Sequence, residues 1–150
     1  MLNSILVVDD DEGIREMLSS VLSDVGYLVE TAKNGKDAIK TCEKSIFDVA
    51  LIDIELPDIK GTELLSRLKK IRPRMMRIVI TGHPTIDNAV LSVNERADAY
   101  VLKPFEVTEL LEKMKKLFDE KTAEYLQMTA DITRASESTP QVKYSRPDRW

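Results

Sequence analysis

Short apolar runs of strand length alternate with longer amphipathic segments over residues 1–120 of the chain. The runs lie at residues 5–8, 27–29, 49–52, 78–80 and 99–102, bounded by Gly, Asp, Thr or Pro. Four of the five runs are apolar on successive residues, which is typical of strands covered on both faces of a sheet. The pattern therefore predicts five strands, four of them covered on both faces.

Between the runs, apolar residues recur at the i, i+3, i+4 and i+7 spacing of a helix with one buried stripe. The stripes are Ile14, Met17, Leu18, Val21, Leu22 and Val25; Ala38, Ile39 and Cys42; Leu64, Leu65, Leu68 and Ile71; Ile86, Ala89, Val90 and Val93; and Val107, Leu110, Leu111, Met114, Leu117 and Phe118. Gly26 and Gly35 are expected at chain reversals, and Pro73 just past the third helix. Five βα units predict an α/β fold with a parallel sheet and helices on both faces.

The composition limits the chain to one ordinary domain and an appendage. It has 150 residues, 43% of them apolar, and a formal net charge of −4, which disfavours a general nucleic-acid-binding surface. Cys42 is the only cysteine, so no intramolecular disulfide can form and a reducing, cytoplasmic location is expected. No uncharged apolar run exceeds four residues, so no membrane span is predicted.

Large apolar residues become rare after Ile132, and a domain boundary is expected near residues 120–135. We expect a domain over residues 1–120, then a helical extension or flexible tail over residues 121–150 that is too short for an output domain. The apolar residues Phe118, Tyr125, Met128 and Ile132 continue a helical phase past the boundary, and Lys121 interrupts it. Residues 136–140, of sequence SESTP, are expected to be solvated and flexible.

Polar side chains directly follow four of the five predicted strands. They are Asp9, Asp10 and Asp11 after the first, Asp53 after the third, Thr81 after the fourth and Lys103 after the fifth. Because the carboxyl ends of parallel strands share one edge of a sheet, these groups are expected to converge there. Three of the carboxylates and one ammonium leave a charge that one divalent cation would neutralise.

Carboxylate oxygens of this kind are the ligands that Mg²⁺ prefers, and a metal here would favour phosphoryl chemistry. An alternative for each single Asp is that it caps the helix that follows. A flavin- or nucleotide-binding domain is disfavoured, because the five glycines form neither a GxGxxG motif nor a P-loop.

With these residues the chain resembles the response-regulator receiver domain of two-component signalling. The resemblance covers about residues 3–120 and rests on motifs in the family's order and spacing. They are ILVVDD at residues 5–10, LID at 51–53 with Leu56, Pro57 and Gly61, ITG at 80–82, and YVLKPF at 100–105. It implies a flavodoxin-like (βα)5 doubly wound parallel sheet with strand order 2-1-3-4-5.

The resemblance also implies roles for individual residues. Asp53 would be the phospho-acceptor, and Mg²⁺, with Mn²⁺ as a substitute, would be held by Asp9, Asp10, Asp53 and the backbone carbonyl of Glu55. Thr81 and Lys103 would contact the phosphoryl group, the Lys103–Pro104 bond would be cis, and Thr81 and Tyr100 would form the switch. The side chains of Glu55 and His83 would tune the phosphoryl lifetime.

The implied function is a phosphoryl-accepting response regulator. It would take phosphate from a sensor histidine kinase and change the surface formed by the fourth predicted helix, the fifth strand and the fifth predicted helix. That surface would contact a downstream protein or a second copy of the chain, with no nucleic acid or membrane bound directly. Catalysis would be limited to phosphorylation and dephosphorylation of its own Asp53. The alternatives are a phosphorelay intermediate or phosphate sink, and a receiver fragment of a longer regulator.

The chain departs from the family pattern at three places. Asp11 and Glu12 replace a frequent Glu-Pro pair. Gly82 stands where Ala is common, and because glycine is the more flexible residue, a looser loop after Thr81 is expected. Arg96 occupies a position often held by Gly. None of these changes removes a group with an implied role.

Overall fold

The computed structural model describes residues 3–82 and 97–138. Strands and helices alternate along the chain up to the first gap. The elements are β1 (Ser4–Val8), α1 (Glu12–Val25), β2 (Leu28–Ala32), α2 (Gly35–Lys44), β3 (Val49–Asp53), α3 (Gly61–Ile71), β4 (Met76–Thr81), β5 (Ala99–Leu102) and the C-terminal helix (Val107–Ser138). The fourth predicted helix, with Ile86, Ala89, Val90 and Val93, lies outside the described residues, as do His83 and Arg96.

The five strands form one parallel sheet in the order β2-β1-β3-β4-β5. The predicted fold and strand order are thereby confirmed. Strand order reverses at β1, which pairs with β2 on one side and β3 on the other. Val8 pairs with Ile52 in the β1–β3 register, so Asp9 and Asp53 follow directly at the same edge of the sheet.

Burial differs between the centre and the edge of the sheet. All residues of β3 and β4 are buried, as are four of the five in β1. β2 is not covered in this way, because it is an edge strand and Leu28 is 56% exposed. The stripe of α1 is likewise narrower than predicted: Leu18 and Leu22 are buried, whereas Met17 and Val25 are exposed.

The helix ends follow local sequence signals. The side chain of Asp11 caps α1 by accepting a hydrogen bond from Ile14 N, and Asn34 caps α2 by accepting one from Asp37 N. Gly26 ends α1 in the left-handed region with φ 111°, which a glycine adopts without a steric penalty. The predicted reversal at Gly26 is therefore confirmed.

Gly61, the first residue of α3, lies against the backbone of Ile54, the residue that follows β3. A Cβ atom at Gly61 would overlap the Ile54 side chain and lie 2.6 Å from the Ile54 carbonyl oxygen. Among residues 3–82 and 97–138, a Cβ atom at Gly82 would meet only Lys103 Cβ, at an ordinary 3.8 Å. Gly61 therefore has to be glycine for α3 to approach Ile54 so closely, whereas the described contacts of Gly82 leave room for a Cβ atom.

We therefore expect Gly61→Ala to lower the free energy of unfolding by about 2 kcal/mol, because the Ile54 backbone must shift. Gly82→Ala is the matched control, with an expected change within about 0.5 kcal/mol. Urea unfolding followed by circular dichroism measures both. Equal stability of the two variants would contradict the packing argument.

The C-terminal helix continues without interruption to Ser138. The chain divides into two compact units, Met1–Lys113 and Met114–Trp150, and the helix contributes to both. The expectation of a flexible stretch from residue 136 is wrong for residues 136–138: the Ser136 and Ser138 hydroxyls donate to carbonyls one turn earlier, which is compatible with helix. Residues 139–150 lie outside the described part of the chain.

The second unit exposes apolar side chains along this helix. They are Tyr125, Leu126, Met128 and Ile132, each more than half exposed. Charged residues interrupt them, and among the described helices none has the length and apolarity that a membrane crossing requires.

Candidate functional site

Three carboxylates meet at the carboxyl ends of β1 and β3. One oxygen from each of Asp9, Asp10 and Asp53 lies within 4.8 Å of the others. Asp9 and Asp53 are only 3% and 7% exposed, whereas Asp10 is exposed. Buried carboxylates this close repel one another unless a cation lies between them. The structure brings these three residues together, as the sequence analysis predicts.

Lys103, directly after β5, supplies one such cation. Its Nζ atom donates to Asp9 Oδ2 at 3.0 Å and to Asp53 Oδ2 at 3.1 Å, and its side chain is 23% exposed. Burial alone would lower the pKa of the Lys103 ammonium. The hydrogen bonds and charges of Asp9 and Asp53 outweigh burial, so the pKa is raised above its ordinary value and the group stays charged.

Backbone amides hold the other oxygen of each buried carboxylate. Asp11 N donates to Asp9 Oδ1 and Glu55 N donates to Asp53 Oδ1, both at 2.9 Å. Both carboxylates are thus bonded on one oxygen by an amide and on the other by Lys103, which restricts their rotation. Sequence reasoning assigned no such role to the Asp11 and Glu55 amides, since a backbone donor leaves no trace in residue type.

The charge and the donor atoms fit a hard divalent cation. Three carboxylates and one ammonium leave a formal charge of −2, and every acidic donor is oxygen. Mg²⁺ takes oxygen ligands and is usually bound through one or two carboxylates together with water and phosphate oxygens. Asp10 is the exposed member of the group, so the cluster is open to solvent on that side.

Thr81 and Tyr100 lie on the neighbouring strands β4 and β5. Thr81 ends β4 and is fully buried, and its carbonyl accepts from Lys103 N at 2.7 Å. The β4–β5 register pairs Val79 with Tyr100 and Thr81 with Leu102. Because paired residues share a face and alternate residues repeat it, the side chains of Thr81 and Tyr100 project from the same face of the sheet.

Tyr100 is half-buried and packs against the core. Its hydroxyl oxygen is buried and has no hydrogen-bond partner within residues 3–82 and 97–138, and burial raises the pKa of this hydroxyl. The predicted switch residues therefore lie on neighbouring strands and on the same face of the sheet. The Lys103–Pro104 peptide bond is cis, as the resemblance implied.

The segment between β3 and α3 carries Glu55, whose side chain is exposed. Glu55 forms an isolated antiparallel bridge with Lys60. Asp58, in the same segment, accepts hydrogen bonds from Gly35 N and Lys36 N at the start of α2, both at 2.9 Å. Asp58 had no place in the sequence prediction, because the contact joins residues 23 positions apart.

Comparison with known proteins shows which family has this fold and these residues. Residues 5–115 match the model of the response regulator receiver domain. A receiver domain protein (CheY-like) from Methanospirillum hungatei JF-1 has a TM-score of 0.80 and 43% sequence identity, over 83% of this chain and 99% of that one. The response regulator TrrA from Thermotoga maritima, solved in complex with Mg²⁺-BeF, has a TM-score of 0.70 and 38% identity, over 77% and 99%.

Curated relatives are longer than this chain. The DNA-binding transcriptional regulator NtrC of Azospirillum brasilense is 32% identical over 137 residues, which are 91% of this chain and 28% of NtrC. Other curated response regulators are matched over 49% to 59% of their length. The family match, the strand order and the clustered acids agree, and the chain belongs to the response regulator receiver family of two-component systems.

Proposed function

We propose that this chain is a phosphoryl-accepting switch that takes phosphate from a sensor histidine kinase onto Asp53. The observation that carries the proposal is the placement of Lys103 Nζ between Asp9 and Asp53, beside the exposed Asp10. This arrangement joins a nucleophile, a fixed cation and an acidic group for a divalent metal within one site. The family membership supports the same reaction class.

The reaction requires little covalent machinery from the protein. An Asp53 carboxylate oxygen forms a bond to phosphorus while the bond from phosphorus to the kinase histidine nitrogen breaks, and that nitrogen keeps the electron pair. Phosphoryl transfer depends mainly on positioning and charge neutralisation. Glu55 N holds one oxygen of Asp53 and Lys103 supplies a fixed positive charge. Mg²⁺, held by Asp9, Asp10, Asp53 and the Glu55 carbonyl, would add neutralising charge for phosphate oxygens.

The output of the reaction would be a changed surface. A phosphoryl group on Asp53 brings negative charge and acceptor oxygens close to the end of β4. The Thr81 hydroxyl can donate to them, and Tyr100, on the same face of the sheet, can then move behind it. The surface around β5 and its flanking helices would bind a downstream protein. We propose self-modification only, with no turnover of an external substrate.

The proposal does not include nucleic-acid binding by this chain. The relative NtrC is named as a DNA-binding regulator, and this chain spans a little over a quarter of it. The net charge of −4 still predicts that residues 1–150 bind no duplex directly. A cytoplasmic location likewise stays a prediction.

Labelling with a small phosphodonor tests the proposal. We expect the full chain, incubated with acetyl phosphate and Mg²⁺, to gain one phosphoryl group by intact-mass spectrometry, and to gain none in excess EDTA. Absence of labelling with Mg²⁺, or equal labelling in EDTA, would contradict it. Adding a second protein with a phosphorylatable histidine distinguishes the relay alternative, because only a relay passes the label on.

A further inference from the structure

The segment that follows β3 is attached to the first turn of α2. Asp58 Oδ1 accepts from Gly35 N and Asp58 Oδ2 accepts from Lys36 N, both at 2.9 Å. Both amides belong to the first turn of α2, where backbone donors lack partners within the helix. The hydrogen bond from Gly35 is the largest cause that lowers the pKa of Asp58 below its ordinary value.

This attachment is not needed to cap α2 in the usual way. Asn34 already occupies the N-cap and its Oδ1 accepts from Asp37 N at 2.8 Å. Asp58 therefore adds a second, non-local carboxylate to a helix end that has its own cap. Such a contact constrains the segment that supplies the carboxylate as much as the helix that receives it.

Close packing reinforces the attachment. A Cβ atom at Gly35 would overlap the Ile59 side chain, so the absence of a side chain at Gly35 lets the segment lie directly on α2. At the other end of the segment, Gly61 lies equally close to Ile54. The bridge between Glu55 and Lys60 closes the segment on itself. Residues 54–61 thus form a short closed loop that contacts α2 through Asp58 and Ile59.

Glu55 lies in this loop, and both its backbone N–H and its backbone carbonyl belong to the proposed acceptor site. Its N–H orients Asp53 Oδ1 at 2.9 Å, and its carbonyl is the expected fourth metal ligand. We propose that Asp58 is a positioning residue that holds the 54–61 loop on α2 and thereby keeps the Glu55 backbone in place for Asp53 and Mg²⁺. The inference rests on the proposed function, since it assumes that the site binds Mg²⁺.

The physical basis is the entropy of the loop. A ligand on a mobile segment must lose conformational freedom when the metal binds, which weakens binding, whereas a pre-ordered ligand does not. Outer-shell partners that order a ligand commonly change metal affinity by 10-fold or more. The coupling is also reciprocal, so metal binding must in turn strengthen the contact between Asp58 and α2.

A pair of variants at the same helix end tests the proposal. Asp58→Ala removes the contact with the loop, and Asn34→Ala removes a cap of α2 without touching the loop. We expect Asp58→Ala to weaken Mg²⁺ binding on the order of 10-fold by isothermal titration calorimetry. Asn34→Ala should lower the urea midpoint and leave Mg²⁺ affinity unchanged. Asp58→Asn, which keeps one acceptor oxygen, should restore part of the affinity.

A role of Asp58 limited to helix stability predicts a different result, in which both alanine variants lower the urea midpoint and neither changes Mg²⁺ affinity. That outcome, or an equal loss of affinity in both variants, overturns the proposal. If the wild-type chain binds no Mg²⁺ by calorimetry, the proposed function fails together with it. If the wild type binds Mg²⁺ and Asp58→Ala binds it equally well, only the positioning role fails.

Hydrogen exchange gives a test that needs no variant. By reciprocity, addition of Mg²⁺ to the wild-type chain should slow exchange of the Gly35 and Lys36 amides, which donate to Asp58. The Asp37 amide, which donates to Asn34 within the same turn, is the internal reference and should change less. Equal changes at all three amides would contradict the specific coupling.

Discussion

Asp53→Asn should accept no phosphoryl group from acetyl phosphate in the presence of Mg²⁺. The amide has nearly the same shape as the carboxylate, but it lacks the charged oxygen nucleophile that attacks phosphorus. Its oxygen can still accept the hydrogen bond from Glu55 N that Asp53 Oδ1 accepts at 2.9 Å, so the local structure should persist. Intact-mass spectrometry measures the label, and circular dichroism checks the fold.

The control for this experiment is Asp24→Asn, a carboxylate-to-amide change at an exposed position of α1. It should be labelled at the rate of the unchanged chain. Labelling of Asp53→Asn at a comparable rate would refute Asp53 as the acceptor. Phosphate found on Asp9 or Asp10 instead would locate the nucleophile elsewhere in the same cluster, which also refutes the assignment.

Lys103→Ala should slow phosphoryl transfer on the order of 100-fold, the size of effect seen when one fixed donor of a transition-state charge is removed. The side chain donates at 3.0 and 3.1 Å to two buried carboxylates, and alanine leaves both without that cation. Their mutual repulsion should also make the fold more dependent on Mg²⁺. Thermal unfolding with and without Mg²⁺ should therefore show a larger metal-induced stabilisation than in the unchanged chain.

Lys116→Ala is the matched control, because Lys116 is exposed and its nearest acidic partner is 4.0 Å away at the surface. Such pairs contribute little, so neither the labelling rate nor the metal-induced stabilisation should change. An unaltered labelling rate in Lys103→Ala would show that the lysine is structural. A metal-induced stabilisation smaller than that of the unchanged chain would contradict its role as a substitute cation.

The central strands and the site could be predicted from sequence because their signals are local. The runs that became β1, β3 and β4 are apolar in succession, and the polar residues Asp9, Asp53 and Thr81 mark the strand ends. Parallel pairing then forces Asp9, Asp53 and Lys103 to one edge. Chemistry that depends on residue type at strand ends is therefore visible without a structure.

Features that depend on distant neighbours could not be predicted. Leu28 and Val25 are as apolar as core residues, and only the position of β2 at the sheet edge and the orientation of α1 leave them exposed. The contact of Asp58 with α2 joins the loop after β3 to the first turn of a helix through backbone amides, which every residue type except proline possesses.

The bond between Lys103 and Asp9 joins residues 94 positions apart, and that between Lys103 and Asp53 joins residues 50 apart. An unfolded chain cannot hold these groups together, so the acceptor site exists only once β1, β3 and β5 have assembled. A newly synthesised or damaged chain that has not folded would therefore not react with a phosphodonor. If Asp53 is the phospho-acceptor as proposed, folding also acts as quality control on the signal, since only an intact sheet can be phosphorylated.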